Sequence, residues 1–194
     1  MAQTSDALTA ESFSSQAAWR AWLDANHAIE RGIWLMLAKQ ASGMSSVTYA
    51  EAVDSALCYG WIDGQKKAMD DMWWLQKFTP RRPKSPWSKI NRQKAEQLIE
   101  SGAMQPAGLR AVEAAKADGR WARAYDSPAT STIPPDLQAA LDANVEAAAF
   151  FATLDSRNRY AILYRIQAAR RAETRANRIE QFVAMLSRHG TLYP

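Results

Sequence analysis

The 194-residue chain is 47% hydrophobic and 23% charged, the size and composition of one large or two small globular domains, which excludes a disordered, collagen-like or disulfide-dense mini-protein. Its longest apolar runs, residues 33–38 and 147–152, fall far short of the roughly 20 residues that cross a bilayer, so no membrane insertion is expected. The net charge of +4 conceals two basic blocks between two acidic ones: residues 1–65 carry −4, 66–94 +7, 95–154 −4 and 155–194 +5.

Ser14 or Ser15 can cap a first helix in which Ala18, Trp19, Trp22 and Leu23 follow the spacing of one buried face, ending near Ile29. Residues 32–38 are short, apolar and bounded by turn residues, which predicts a strand buried on both faces. Thr48 then precedes a second helix, with Ala52, Val53, Ala56 and Leu57 on one side and Gly60 ending it. Residues 61–68 and 72–79 read as an antiparallel hairpin.

Residues 80–86 hold three prolines and no regular element, and Ser85-Pro86 predicts the start of a helix running to Gly102, with Ser as cap and Pro at the first position. Pro106 opens a further helix that Gly119 closes. All eight tryptophans lie between Trp19 and Trp121, after which a Pro-, Ser- and Thr-rich stretch reads as a linker. Residues 136–141, 145–154, 157–171 and 175–188 read as helices, with Asn144, Ser156 and Thr174 as caps. The expected fold is therefore α+β. An N-terminal domain over 1–121 has a small antiparallel sheet of about three strands packed by helices, a linker spans 122–135, and an all-α helical module fills 136–194.

No phosphate-loop, dinucleotide, HExxH or GxSxG motif is present. Two histidines and one cysteine cannot furnish a zinc site, so neither metal nor cofactor is expected, and Cys58 on its apolar helix reads as a buried structural thiol. The informative stretch is Gly60-Trp-Ile-Asp-Gly64 followed by residues 78–91. There Arg81, Arg82, Lys84 and Lys89 surround the expected helix start, where free backbone N–H groups favour an anion. Ser85 and Ser88 add hydroxyls, Trp87 a flat face, and Asn91 lies one turn onward. Asp63 is the candidate acid/base, hydroxyl acceptor or arginine partner. In the helical module Arg171, Arg175 and Arg178, with Arg170, crowd the expected Thr174 cap, and either cross to acids of the first domain or stay open for an acidic partner.

Across these same stretches the chain resembles the bacterial YdeI/OmpD-associated, or bacteriocin-protection, family. The residues that carry the resemblance include Trp19-Arg-Ala-Trp-Leu23, Gly32-Ile-Trp-Leu35, Ala56-Leu-Cys-Tyr-Gly-Trp-Ile-Asp63, Phe78-Thr-Pro-Arg81, Ser85-Pro-Trp-Ser88 with Asn91, Gly102-Ala-Met-Gln-Pro-Ala-Gly108 and Ala115-Lys-Ala-Asp-Gly-Arg-Trp121. Ala168-Ala-Arg-Arg-Ala-Glu-Thr-Arg175 with Arg178-Ile179 resembles the family's C-terminal helical module. The resemblance implies tolerance of antimicrobial peptides or association with a porin, and brings no catalytic residue with it. The expectation is a stress-tolerance protein with an anion-accepting pocket. One alternative is an enzyme acting on a phosphorylated or carboxylated small molecule through Asp63, and the other is nucleic-acid binding through Trp73, Trp74, Phe78 and Trp87 among the basic residues. A small anionic ligand or an acidic protein partner ranks above nucleic acid. The polar segment 1–9, with Asp6 where a signal peptide is basic and then apolar, and the single cysteine point to the cytoplasm.

Overall fold

The computed structural model describes residues 8–194, so segment 1–7, on which much of the leader reading rests, lies outside the described residues. Backbone contacts divide the chain into two compact units: residues 1–87 with 91–123, and residues 88–90 with 124–194.

The first unit is built on a four-stranded sheet in the order β1-β2-β4-β3, from β1 (Ala10–Ser12), β2 (Ile33–Ala38), β3 (Trp61–Ala68) and β4 (Trp73–Pro80). The hairpin of β3 and β4 forms as its turn residues predict, with Trp61 opposite Pro80 and Ala68 opposite Trp74. Two expectations change. The sheet is mixed, because the three-residue β1 runs parallel to β2, and a segment that short carries no legible alternation. β2 is buried on one face only: Ile33, Leu35 and Leu37 are inside, whereas Trp34, Met36 and Ala38 are half-exposed.

The inner face of the sheet is covered by α1 (Gln16–Asn26) and α2 (Tyr49–Cys58). Ser15 caps α1, and Thr48 forms a full capping box with Glu51, whose carboxyl is held below its ordinary value by hydrogen bonds from Thr48. The core between them is aromatic. Trp19 lies 5.3 Å from Trp22 and 5.6 Å from Phe78, and Trp22 meets Trp61 edge-on at 5.9 Å. A buried indole N–H is stabilised by an acceptor, and Trp19 finds the Ala52 carbonyl and Trp61 the His27 carbonyl, both at 3.1 Å. Gln76, buried beside this core, donates to the Gly64 and Gln65 carbonyls and so fastens the bulge that shifts the β3 register between Asp63 and Lys66.

Helices α3 (Lys89–Glu100) and α4 (Pro106–Ala117) follow. Gly60 ends α2 with φ +73°, and Gly108 of α4 lies where any Cβ would overlap the carbonyl oxygens of Leu57 and Cys58. Glycine at 108 is thus the condition for α4 to pack on the end of α2.

The second unit contains α5 (Pro135–Asp142), α6 (Val145–Thr153), α7 (Ser156–Gln167) and α8 (Ala172–Leu186) around Leu137, Leu141, Phe151, Ile162, Ile166, Phe182 and Leu186. Asn144 caps α6 by accepting from the Ala147 amide. The cap of α7 is Asp155 rather than Ser156, and α8 starts at Ala172, which leaves Thr174 inside the helix.

Candidate functional site

Phe78, Thr79 and Pro80 leave the sheet into the loop that holds most of the sequence-predicted site. The loop does not start a helix at Pro86. Residues 82–85 form a turn instead: the Ser85 amide donates to the Arg82 carbonyl at 2.9 Å, and the Ser85 hydroxyl accepts from the Arg82 amide at 3.0 Å. A side chain committed to that turn cannot cap a helix, and α3 begins three residues later, at Lys89. Ser88 pairs there with Tyr125, and the Lys89 amide is taken by the Tyr125 carbonyl at 2.8 Å. The helix start expected to offer bare N–H groups beside Ser85 is thus displaced, and its first amide is already bonded.

Trp87 also departs from expectation. Only 1% of it is exposed, the Arg81 guanidinium lies 3.6 Å from the centroid of its ring, and Trp121 meets it edge-on at 4.9 Å. It is a core residue of this corner and offers no open face. Phe78 is likewise fully buried, which removes two of the four aromatics from the nucleic-acid reading. Arg81 donates to the Pro86 carbonyl at 3.2 Å and clamps the loop back on itself. A residue that sequence reasoning missed completes the clamp: Arg120, 9% exposed, donates to the Ser85 carbonyl at 2.8 Å and pairs with Asp118 at 2.7 Å. Its guanidinium holds the Asp118 carboxyl below the ordinary value. The separation of 35 positions between Ser85 and Arg120 hides that contact from any local motif.

The structure therefore brings Arg81, Ser85 and Trp87 together as a structural clamp. Arg82 and Lys84 remain exposed on the loop, and neither forms an ion pair among the described residues. Ser88 and Asn91 are half-buried where α3 begins. Lys89 is neutralised by Asp126 at 2.7 Å. Burial alone would raise Asp126, but the hydrogen bonds from Lys89 and Gln167 outweigh it and lower the group. Asp63 stands opposite Phe78, three residues back along β4 from Arg81, or roughly 10 Å at strand spacing. Its carboxylate accepts from the Tyr49 hydroxyl at 2.8 Å, so the partner it holds is a tyrosine and not an arginine. Cys58 is buried, and desolvation pushes its thiol up, away from the reactive thiolate.

In the second unit the three arginines part ways. Arg175 neither leaves the helical unit nor stays open: its fork meets both oxygens of Asp136 on α5, at 2.5 and 2.8 Å, and it donates to the Ile166 carbonyl at 3.0 Å. Arg178 donates to the Arg165 carbonyl. Arg171, exposed at the N-cap of α8, forms no ion pair among the described residues. Open clefts lie on this unit. One of about 760 Å³ runs between α5 and α8 and is floored by Ala140, Ala143, Ala176 and Ile179 beside the Asp136–Arg175 pair.

These features define a class: an α+β unit followed by a four-helix unit, in which the charged candidates form clamps and patches. The chain belongs to the family described as a domain of unknown function, DUF8412, whose model matches residues 11–111. Residues 130–189, which hold α5 to α8, match the model of the family described as bacteriocin-protection, YdeI or OmpD-associated. Most of the N-terminal stretches that suggested the latter family lie within the part matched by the former. No curated protein and no solved structure matches the chain.

Proposed function

We propose that this is a bacterial protein conferring tolerance of a bacteriocin or related antimicrobial peptide, and that it acts by binding rather than by catalysis. The observation that carries the reading is the bacteriocin-protection match over residues 130–189, which takes in the whole core of the helical unit. Binding is favoured over chemistry by Asp63, the sole acid/base candidate the sequence offered: it sits on the edge strand β3 with its carboxylate engaged by Tyr49. Arg82 and Lys84 supply the anion-accepting surface of the α+β unit, since both are exposed and neither forms an ion pair among the described residues. Arg171 supplies the corresponding contact for an acidic partner on the helical unit. The reading places the protein in the cytoplasm, where the buried Cys58 thiol stays reduced.

The test is survival of a bacteriocin-sensitive strain with and without the expressed protein. Survival is expected to rise at least tenfold with the wild-type chain, and to fall back when Arg82, Lys84 and Arg171 are all changed to Ala. No protection by soluble, folded protein overturns the reading.

A further inference from the structure

Helix α7 turns one side to the core and another to a cleft. Ile162, Leu163 and Ile166 are buried with the helical core. Arg157, Tyr160, Ala161, Tyr164 and Arg165 recur at three- and four-residue spacing on a different face. With Tyr193 they line an open cleft of about 610 Å³ within the second unit.

Its walls are aromatic and held in place. Tyr160 and Tyr164 lie 6.0 Å apart, Tyr125 braces Tyr164 edge-on at 5.1 Å, and the Tyr160 hydroxyl donates to the Asp126 carbonyl at 2.8 Å. Burial, with Tyr125, Tyr164 and Asp126 nearby, pushes Tyr160 up to about 12. Tyr193 is fixed by the buried Asn158, which bonds both its amide and its carbonyl.

The cleft is also electropositive. The guanidinium carbons of Arg157 and Arg165 lie 4.1 and 6.0 Å from the centre of the same Tyr193 ring, hence no more than about 10 Å from each other. Neither makes an ion pair among the described residues, and the neighbouring Asp155 spends a carboxylate oxygen capping α7 at 2.7 Å. Two cations held near one another without a carboxylate gain from an external anion, and a guanidinium fork fits the paired oxygens of a phosphate or carboxylate. Flat tyrosine faces beside them accept a planar ring.

We propose that this cleft is a binding site for a small anion that carries a flat ring: Arg157 and Arg165 hold the phosphate or carboxylate, and the ring lies against Tyr160 and Tyr164. The site is independent of the protection reading and of the Arg82 and Lys84 surface.

Calorimetric titration of the full chain with adenosine 5′-monophosphate, salicylate and inorganic phosphate tests it. Saturable binding of one or both ring-bearing anions is expected, at least tenfold tighter than inorganic phosphate; which of them binds separates a phosphate from a carboxylate source. Changing Arg157 and Arg165 together to Gln weakens that binding at least tenfold while the melting temperature falls by no more than about 3 °C, because these side chains meet the fold through the Tyr193 ring and form no ion pair or hydrogen bond among the described residues. Tyr193→Leu weakens it while retaining the backbone bonds to Asn158. Absence of saturable binding by any of the three, no preference for a ring, or binding unaltered within twofold in the Gln double variant overturns the assignment.

Discussion

The amide of Asn158 grips Tyr193 along both edges, with Nδ2 donating to the Tyr193 carbonyl at 3.2 Å and Oδ1 accepting from the Tyr193 and Leu192 amides at 2.9 and 3.0 Å. A side chain 5% exposed on α7 thereby serves as the backbone partner of the segment that follows α8. Asn158→Ala strands these groups, and unfolding in urea should show a loss of about 2 kcal/mol. Asn158→Asp leaves an oxygen for the two amides but turns a second, buried carboxylate oxygen against the Tyr193 carbonyl, and its loss should be at least as large.

Acid is expected to weaken the helical unit through Asp136. Hydrogen bonding to Arg175 holds the Asp136 carboxyl below its ordinary 3.8. A depressed folded value means that the stabilisation is complete above the ordinary value and disappears as pH falls from about 4 through the folded value. With the two side chains 45% and 28% exposed, the contribution is only about 1 kcal/mol. Melting temperature against pH should fall less steeply below pH 4 in Asp136→Asn. Some slope should remain, because Asp118 and Asp126 are depressed as well.

Gly108→Ala is expected to cost about 3 kcal/mol in denaturant unfolding, since the new methyl would meet the carbonyl oxygens at the end of α2 and force α4 outward. Gly43 provides the comparison. It has φ +67° but open space around its Cβ, so Gly43→Ala should cost only about 1 kcal/mol of backbone strain.

The loop after β4 separates its arginines by role. Arg120→Ala removes a buried cation that bonds the Ser85 carbonyl and leaves the loop held by Arg81 without its second clamp, with an expected loss of about 2 kcal/mol. Arg82→Ala, at an exposed side chain without an ion pair among the described residues, should stay within about 0.5 kcal/mol of wild type in the same measurement.

Local chemistry determined much of this protein. Ser15 and Thr48 each precede an apolar helical period, so the helices start where those hydroxyls can accept an amide. The turn residues between two β-prone runs set the hairpin of β3 and β4, and the apolar spacing after residue 135 set the helical unit. Ser85-Pro86 carries the same local signal and yet starts no helix, because the Arg82 amide takes the serine hydroxyl while Arg120 takes its carbonyl. Tertiary structure alone decided that Trp87 is core, that Arg175 finds Asp136 across 39 residues, and that Tyr193 joins Arg157 and Arg165 in one cleft through Asn158, 35 residues upstream. Cap and period act over three or four residues and are written in the local sequence, whereas the partner of a charged or polar group depends on which distant segment the packed core delivers to it.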